Sequence, residues 1–367
     1  MAASISTTEF IPSSVISTMA CVQRCAVELG FAEKRDAWAL KSKYFPSKVG
    51  GKPAWLHLSD VPRGKRLACK NCGEPCVFLL QVYAPRDDVD SAFHRTLFVF
   101  VCVTPDCANK HDAGSFIVLR SQLPKENPFF SSEPPVESPD TSGSPSAEDF
   151  CKICAVCGAL GDKTCSKCHS RHYCSKSHQI LDWRDGHKAR CNSQCTDGCE
   201  RTSAPLFPEY ELVTETEDDA YDDDEGCKTD EERLADYNQY LASHPKCSKN
   251  AADLADLNKM AATCKDKAFW KFKETIAKAP DQVLRYSLGG TPLLVASKGD
   301  PQSVPCCSCG SERQFEFQVL PQLLNSITEP AVDSLDWGTL LVYTCKASCD
   351  GEPYREEFLW KQHFSEE

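Results

Sequence analysis

The chain has 367 residues, 24 cysteines and a formal net charge of −12. That length holds about two to three domains with an ordinary core. The acid excess opposes general binding to a phosphate backbone, which needs Lys and Arg to displace condensed counterions, and suits a basic protein partner better. No run of about 18 apolar residues is present to span a membrane as a helix. The N-terminal MAASISTTEF has neither the basic start nor the apolar stretch of a secretory signal. The cysteines are therefore expected to be reduced and to gather on structural zinc rather than in disulfides.

In chain order, residues 1–125 are expected to form the N-terminal half of a β-rich domain. They contain CKNCGEPCVFLLQVYAP from Cys69 and LFVFVCVTPDC from Leu97. This reads as a Cys69/Cys72 knuckle with Gly73 at its turn, a strand, a second apolar strand, and a Cys102/Cys107 pair at that strand's end. Residues 126–150 are expected as a linker, since the EPPVESPDTSGSPSA of residues 133–147 has little to bury.

Residues 151–195 hold a dense finger with the pairs Cys154/Cys157, Cys165/Cys168, Cys174/His178 and His187/Cys191. A C-x2-C turn presents two thiolates to one tetrahedral ion. The i, i+4 pairs would share one face of a helix. Eight ligands suffice for two closed sites, and spacing alone does not say which pairs share an ion. Cys151 could compete as a ligand, and His169 and His172 read as surface histidines. Residues 152–190 carry eight Lys and Arg against three Asp. Three thiolates at each divalent ion offset part of that charge, and no aromatic-interleaved groove accompanies it, so protein contact is expected rather than nucleic-acid binding.

Residues 196–230 are expected as an acidic linker, because the TETEDDAYDDDEGCKTDEE of residues 214–232 packs like charges too densely to fold. Residues 231–367 are expected as the C-terminal half of the β-rich domain. They begin with a helix at 231–243, followed by one at 265–278, where Phe269, Phe272 and Ile276 share a face ahead of Pro280. They then read CCSCGSERQFEFQVLP from Cys306 and LLVYTCKASC from Leu340. Aligned on Cys72-Gly73 and Cys309-Gly310, Phe78 falls with Phe315, Leu80 with Phe317, Gln81 with Gln318, Val82 with Val319 and Cys102 with Cys345. This is an internal duplication. Cys345/Cys349 closes the second copy as Cys102/Cys107 closes the first, so each copy reads as a zinc-ribbon-like hairpin. The expected fold is α+β and β-rich: one internally duplicated domain split in sequence, offering paired sheet edges, with the finger extruded from it. Cys21, Cys25, Cys76, Cys195, Cys199, Cys227, Cys247 and Cys264 are left without assigned partners.

Gly50-Gly51 and Gly289-Gly290 lie in no dinucleotide or Walker context and read as turns. With no nucleophile elbow and no H-E-x-x-H, and with each C-x2-C facing a partner pair at zinc-ligand spacing, the chain is not expected to be an enzyme.

FPSKVGGKPAWL, FLLQVYAP, FHRTLFVF, FPEYELV, LRYSLGGTPL, FEFQVLPQLL and DWGTLLVYTC, together with the finger, resemble the programmed cell death protein 2 family over nearly the whole chain. The finger's ligand order resembles the MYND zinc finger. That resemblance implies interleaved sites, with Cys154, Cys157, Cys174 and His178 on one zinc ion and Cys165, Cys168, His187 and Cys191 on the other. His178 stands where most MYND fingers have Cys. At the C-terminal knuckle the family's C-x-C maps to Cys307 and Cys309, while Cys306 offers a C-x2-C choice. The family implies a dedicated chaperone that escorts a newly made, basic small-subunit ribosomal protein to the maturing 40S particle. Other proteins would engage the finger, and neither a membrane nor sequence-specific nucleic acid would be bound. A cytoplasmic localisation, extending to the nucleus, goes with this reading. The alternative is a MYND-type interaction adaptor in transcriptional regulation or apoptosis.

Overall fold

The computed structural model describes residues 26–108, 110, 112–191, 206–217, 266–298, 301, 303–327 and 335–364. Its strands are β1 Glu28–Glu33, β2 Lys48–Val49, β3 Val77–Tyr83, β4 His94–Val101, β5 Phe116–Leu123, β6 Lys163–Thr164, β7 His172–Tyr173, β8 Tyr210–Thr216, β9 Gln282–Tyr286, β10 Arg313–Val319, β11 Thr339–Cys345 and β12 Arg355–Gln362. Ten of them close into an antiparallel barrel in the order β1-β8-β2-β3-β4-β5-β12-β11-β10-β9. β6 and β7 form a separate two-stranded sheet.

The long strands are apolar on both faces because both faces are covered. On β4, Leu97, Val99 and Val101 point into the barrel with Val118, Phe317, Val319, Leu340 and Val342. Phe98 and Phe100 point outward, where they pack with Ile117, Leu119, Trp55 and the finger. On the other half, a helix spans Lys267–Lys278, with Asp266 accepting from the Ala268 N–H at 2.8 Å as its N-cap. It buries Phe272 and Ile276 with Val295 and Leu320.

The two halves answer each other strand for strand. The β3–β4 ladder shifts register between Phe78 and Leu80, and the β10–β11 ladder shifts between Phe315 and Phe317. Gln81 accepts from the Ala54 N–H at 2.9 Å, and Gln318 accepts from the Leu293 N–H at 2.7 Å. The Gly50-Gly51 and Gly289-Gly290 pairs form turns, with positive φ at Gly50, Gly51 and Gly289. A Cβ at Gly50 would overlap the Pro208 carbonyl, so only glycine lets the chain returning from the finger pass there.

Several expectations change. The knuckle hairpins, expected to pack together into one β-rich domain, each continue into a third long strand, β5 or β12, and all join one closed barrel rather than an open pair of hairpins. Residues 1–125 and 231–367 therefore contribute to the same sheet. The paired sheet edges expected for a partner are absent among the described residues, because closure gives every barrel strand two neighbours. The acidic linker expected at 196–230 contains β8, since Leu212 faces the barrel core while the acidic residues face out. The expected helix at 231–243 lies outside the described residues, as does most of the acidic run.

Candidate metal centres

In the finger, the first knuckle is set by backbone bonds from Cys154 N–H to Ala159 O at 2.7 Å and from Gly158 N–H to Cys154 O at 3.1 Å. Gly158 has φ +77°, a conformation that favours glycine. Ser175 caps the helix Lys176–Asp182 by accepting from the His178 N–H at 3.1 Å. That cap places Cys174 just before the helix, so Cys174 and His178 do not share a helical face as the i, i+4 spacing suggested. They meet across the helix start instead, with Cys174 Sγ and His178 Nδ1 at 3.2 Å. A π-helical turn, Trp183–His187, with φ +130° at Gly186, then swings His187 toward the second knuckle.

These elements bring together Cys154, Cys157, Cys174 and His178, and separately Cys165, Cys168, His187 and Cys191, the interleaved pairing implied by the MYND resemblance. Cys154 Sγ lies 3.7 Å from His178 Nδ1, and Cys157 Sγ lies 3.5 Å from Cys174 Sγ. In the second group Cys165 and Cys191 are 3.7 Å apart, and Cys168 Sγ is 3.5 Å from His187 Nε2. Tyr173 donates to Asp182 at 2.7 Å and Arg171 pairs with it, bracing the helix against β7.

The barrel carries two further groups, Cys69, Cys72, Cys102 and Cys107, and Cys307, Cys309, Cys345 and Cys349. Cys72 and Cys102 are 3.6 Å apart, Cys307 and Cys349 3.5 Å, and Cys309 and Cys345 3.6 Å. A tetrahedral zinc with sulfur at about 2.3 Å sets sulfur–sulfur edges of about 3.8 Å. The observed separations fit that edge and are far too long for a disulfide, about 2.05 Å. The donor sets, two of four thiols and two of three thiols with one imidazole, suit structural zinc.

Crowding makes each group a poor host for neutral thiols. Burial disfavours thiolate, yet hydrogen bonds from neighbouring N–H and thiol groups bring Cys72 down to about 7 and Cys307 to about 6, and the Ser170 hydroxyl with nearby N–H groups brings Cys168 to about 5. Bonds from Cys157 and Cys174 lower Cys154 further. Burial and the neighbouring thiolates push Cys107 and Cys349 up to about 12 and Cys191 to about 11. One thiol per group thus favours its anion while others resist, a conflict that a divalent cation removes.

The spare residues fall outside these groups. Cys306 is exposed, and Cys307 takes the knuckle position. The Cys151 thiol donates to Ser59 O at 3.2 Å, and His172 bonds Thr164. Cys76 is buried beside the first barrel group, where burial and the four neighbouring thiols raise its pKa. Cys21, Cys25, Cys195, Cys199, Cys227, Cys247 and Cys264 lie outside the described residues.

The finger is not extruded. Val156, Ala159 and Tyr173 share one apolar cluster with Phe78, Phe98 and Phe100 on the barrel's outer face. Trp55 Nε1 donates to Gly158 O at 2.7 Å, and the Leu160 N–H donates to Pro62 O at 3.0 Å. The knuckle carries apolar residues between its ligands, and these need a partner surface. Of the segment that supplies it, residues 53–64, only 53–56 fall in a resemblance block, and residues 57–64 carry no sequence reading. Tryptophan in PAWL was the available signal.

A closed β-barrel with an inserted two-zinc finger and two four-thiol groups defines a zinc-binding protein of the MYND-finger class. Residues 154–191 match the MYND finger, a protein-interaction module. Residues 26–137 match the N-terminal domain of programmed cell death protein 2, and residues 266–363 match its C-terminal domain. The chain is 44% identical over 362 residues to programmed cell death protein 2 of Rattus norvegicus, covering 95% of this chain and 99% of that protein. It is 31% identical over 318 residues to the programmed cell death protein 2-like protein of Homo sapiens, covering 83% and 85%. It is 24% identical over 380 residues to the probable 20S rRNA accumulation protein 4 of Schizosaccharomyces pombe, covering 88% and 92%. The chain belongs to the programmed cell death protein 2 family. No solved structure matches it. Among the described residues, no helix is long and apolar enough to cross a membrane.

Proposed function

We propose that this protein is a non-catalytic escort that holds a newly made, basic small-subunit ribosomal protein and supports 40S assembly in the cytoplasm, and also in the nucleus. The observation that carries this reading is similarity along 88% of the chain to a protein named for 20S rRNA accumulation. The charge of −12 supports it physically. A ribosomal protein away from RNA exposes basic surface, and an acidic escort attracts it and shields it from stray nucleic acid. The sixteen clustered side chains act as zinc ligands that shape the escort, and none is assigned a catalytic role. The matching register shifts of the two halves support their reading as copies of one knuckle-and-hairpin unit.

The second reading is an adaptor acting through the finger. It is favoured by Ile180, which stands 41% exposed on the finger's first helix while its neighbours His178 and Asp182 are buried. Purification of the tagged chain from cells at low salt, followed by mass spectrometry of bound proteins, separates the two. A dominant basic protein of the small ribosomal subunit is the expected result. A transcriptional regulator in its place, lost on replacing Ile180 by Ser, sinks the escort reading.

A further inference from the structure

The barrel's two sequence halves meet directly where β5 pairs with β12, from Arg355 opposite Arg120 to Glu357 opposite Val118. This ladder is much shorter than β4–β5, which runs the full length of both strands. Two buried cations flank it. Arg120 on β5 is 2% exposed and Lys361 on β12 is 4% exposed. They are structural counterparts: Cys102 corresponds to Cys345, so Phe100 corresponds to Tyr343. The residues opposite these are Ile117 and Phe358, which brings Arg120 into register with Lys361.

Each cation reaches out of its own half into the four-thiol loop of the other. The Arg120 guanidinium donates to Cys349 O at 3.1 Å and contacts Cys349 Sγ at 3.5 Å. It also pairs with Glu357 at 2.7 Å. Glu357 in turn accepts from Arg313 at 2.9 Å and from the Cys345 N–H at 3.2 Å. Gln122, two residues along β5, donates to Ser348 O at 3.1 Å. In the opposite direction Lys361 Nζ donates to Lys110 O at 3.1 Å, three residues beyond Cys107.

We propose that these contacts are reciprocal clasps through which zinc at each outer four-thiol group holds the β5–β12 seam closed. Arg120 and Lys361 are positioning residues. A carbonyl can be grasped from across the seam only while its loop has one conformation, and four metal–sulfur bonds supply that conformation. Loss of zinc frees the loop, the clasp loses its acceptor, and the short ladder is left to hold the seam alone. The longer β3–β4 and β4–β5 ladders, within one half, adjoin the first loop only at their Cys102 end and keep their own residue pairs beyond it.

The test is hydrogen exchange of the full-length chain read by mass spectrometry, with metal content measured on the same samples. Cys309→Ala and Cys72→Ala remove the exposed ligand of each outer group. Arg120→Gln and Lys361→Met leave every ligand in place. All four variants are expected to raise exchange at residues 117–120 and 355–358 at least tenfold while the β3–β4 amides away from the Cys102 end, residues 80–83 and 96–99, stay protected. Adding Arg120→Gln to Cys309→Ala should speed the seam no further, whereas adding it to Cys72→Ala should. Seam protection that survives zinc loss, exchange rising equally in β3–β4, or a wild-type chain without zinc at the outer groups overturns the proposal.

Discussion

Arg95 on β4 and Glu316 on β10 grip each other inside the barrel through two hydrogen bonds of 2.5 and 2.7 Å, with both side chains fully buried. Tyr286 donates to the same carboxylate at 3.1 Å, and Arg95 donates to Ala84 O at 3.2 Å. Glu316 sits at the register shift of β10, where the matching shift of β3 holds Leu79. The pair is thus a strut between the halves at a point where they differ.

Glu316→Leu alone leaves a buried guanidinium without its anion and should cost about 3–5 kcal/mol. The double change Arg95→Met with Glu316→Leu should recover most of that loss, because the desolvation of both charges disappears with them. Denaturant unfolding of the three variants measures this. A double variant as unstable as the single one would show that the strut's hydrogen bonds, rather than the orphaned charge, set the loss.

Elemental analysis should give four zinc ions per chain, from the four groups whose sulfur separations fit tetrahedral coordination. A count of two, retained when Cys72 and Cys309 are replaced, would leave the barrel groups as plain thiols.

The finger should stabilise the barrel beneath it. Trp55→Phe keeps an aromatic ring in the shared cluster but leaves Gly158 O without its 2.7 Å donor, which should cost about 1–3 kcal/mol. Unfolding followed by near-ultraviolet circular dichroism should show finger and barrel losing structure together. Two separate transitions, only one of them shifted, would contradict the docking.

Lys361 gives a pH signature. Burial lowers its pKa from 10.5 to about 8, against the weaker pull of Asp336 and Asp112. Between pH 8 and 10.5 the unfolded chain therefore binds more protons at this residue than the folded chain does. Its contribution to stability rises with pH across that window, and below pH 8 the full cost of burying the charge is present. Relative to Lys361→Met, the wild type should gain up to about 3 kcal/mol from pH 8 to 10.5. A stability difference independent of pH would refute the lowered pKa.

The sequence by itself determined the chemistry and the local units. Cysteine and histidine spacing named fifteen of the sixteen residues that the structure gathers into four groups, because knuckle turns and short loops are local, and left Cys306 and Cys307 as alternatives until the family resemblance pointed to Cys307. It also marked Phe269, Phe272 and Ile276 as one buried helix face, and it matched Gln81 with Gln318. What it left open depends on contacts between distant residues. Cys174 and His178 looked like a helical pair until the Ser175 cap placed the cysteine outside the helix. Residues 196–230 read as an acidic linker, yet β8, Tyr210–Thr216, needs only its inward Leu212 to join the barrel. Two apolar faces per strand fit a ribbon pair as well as a barrel, and only the ladder from β5 to β12 and that from β1 to β8 and β9 decide for closure. The docked finger and the reach of Arg120 and Lys361 across the seam belong to the same class: their hydrogen bonds join residues more than seventy positions apart, and no periodicity in the chain encodes which surfaces meet.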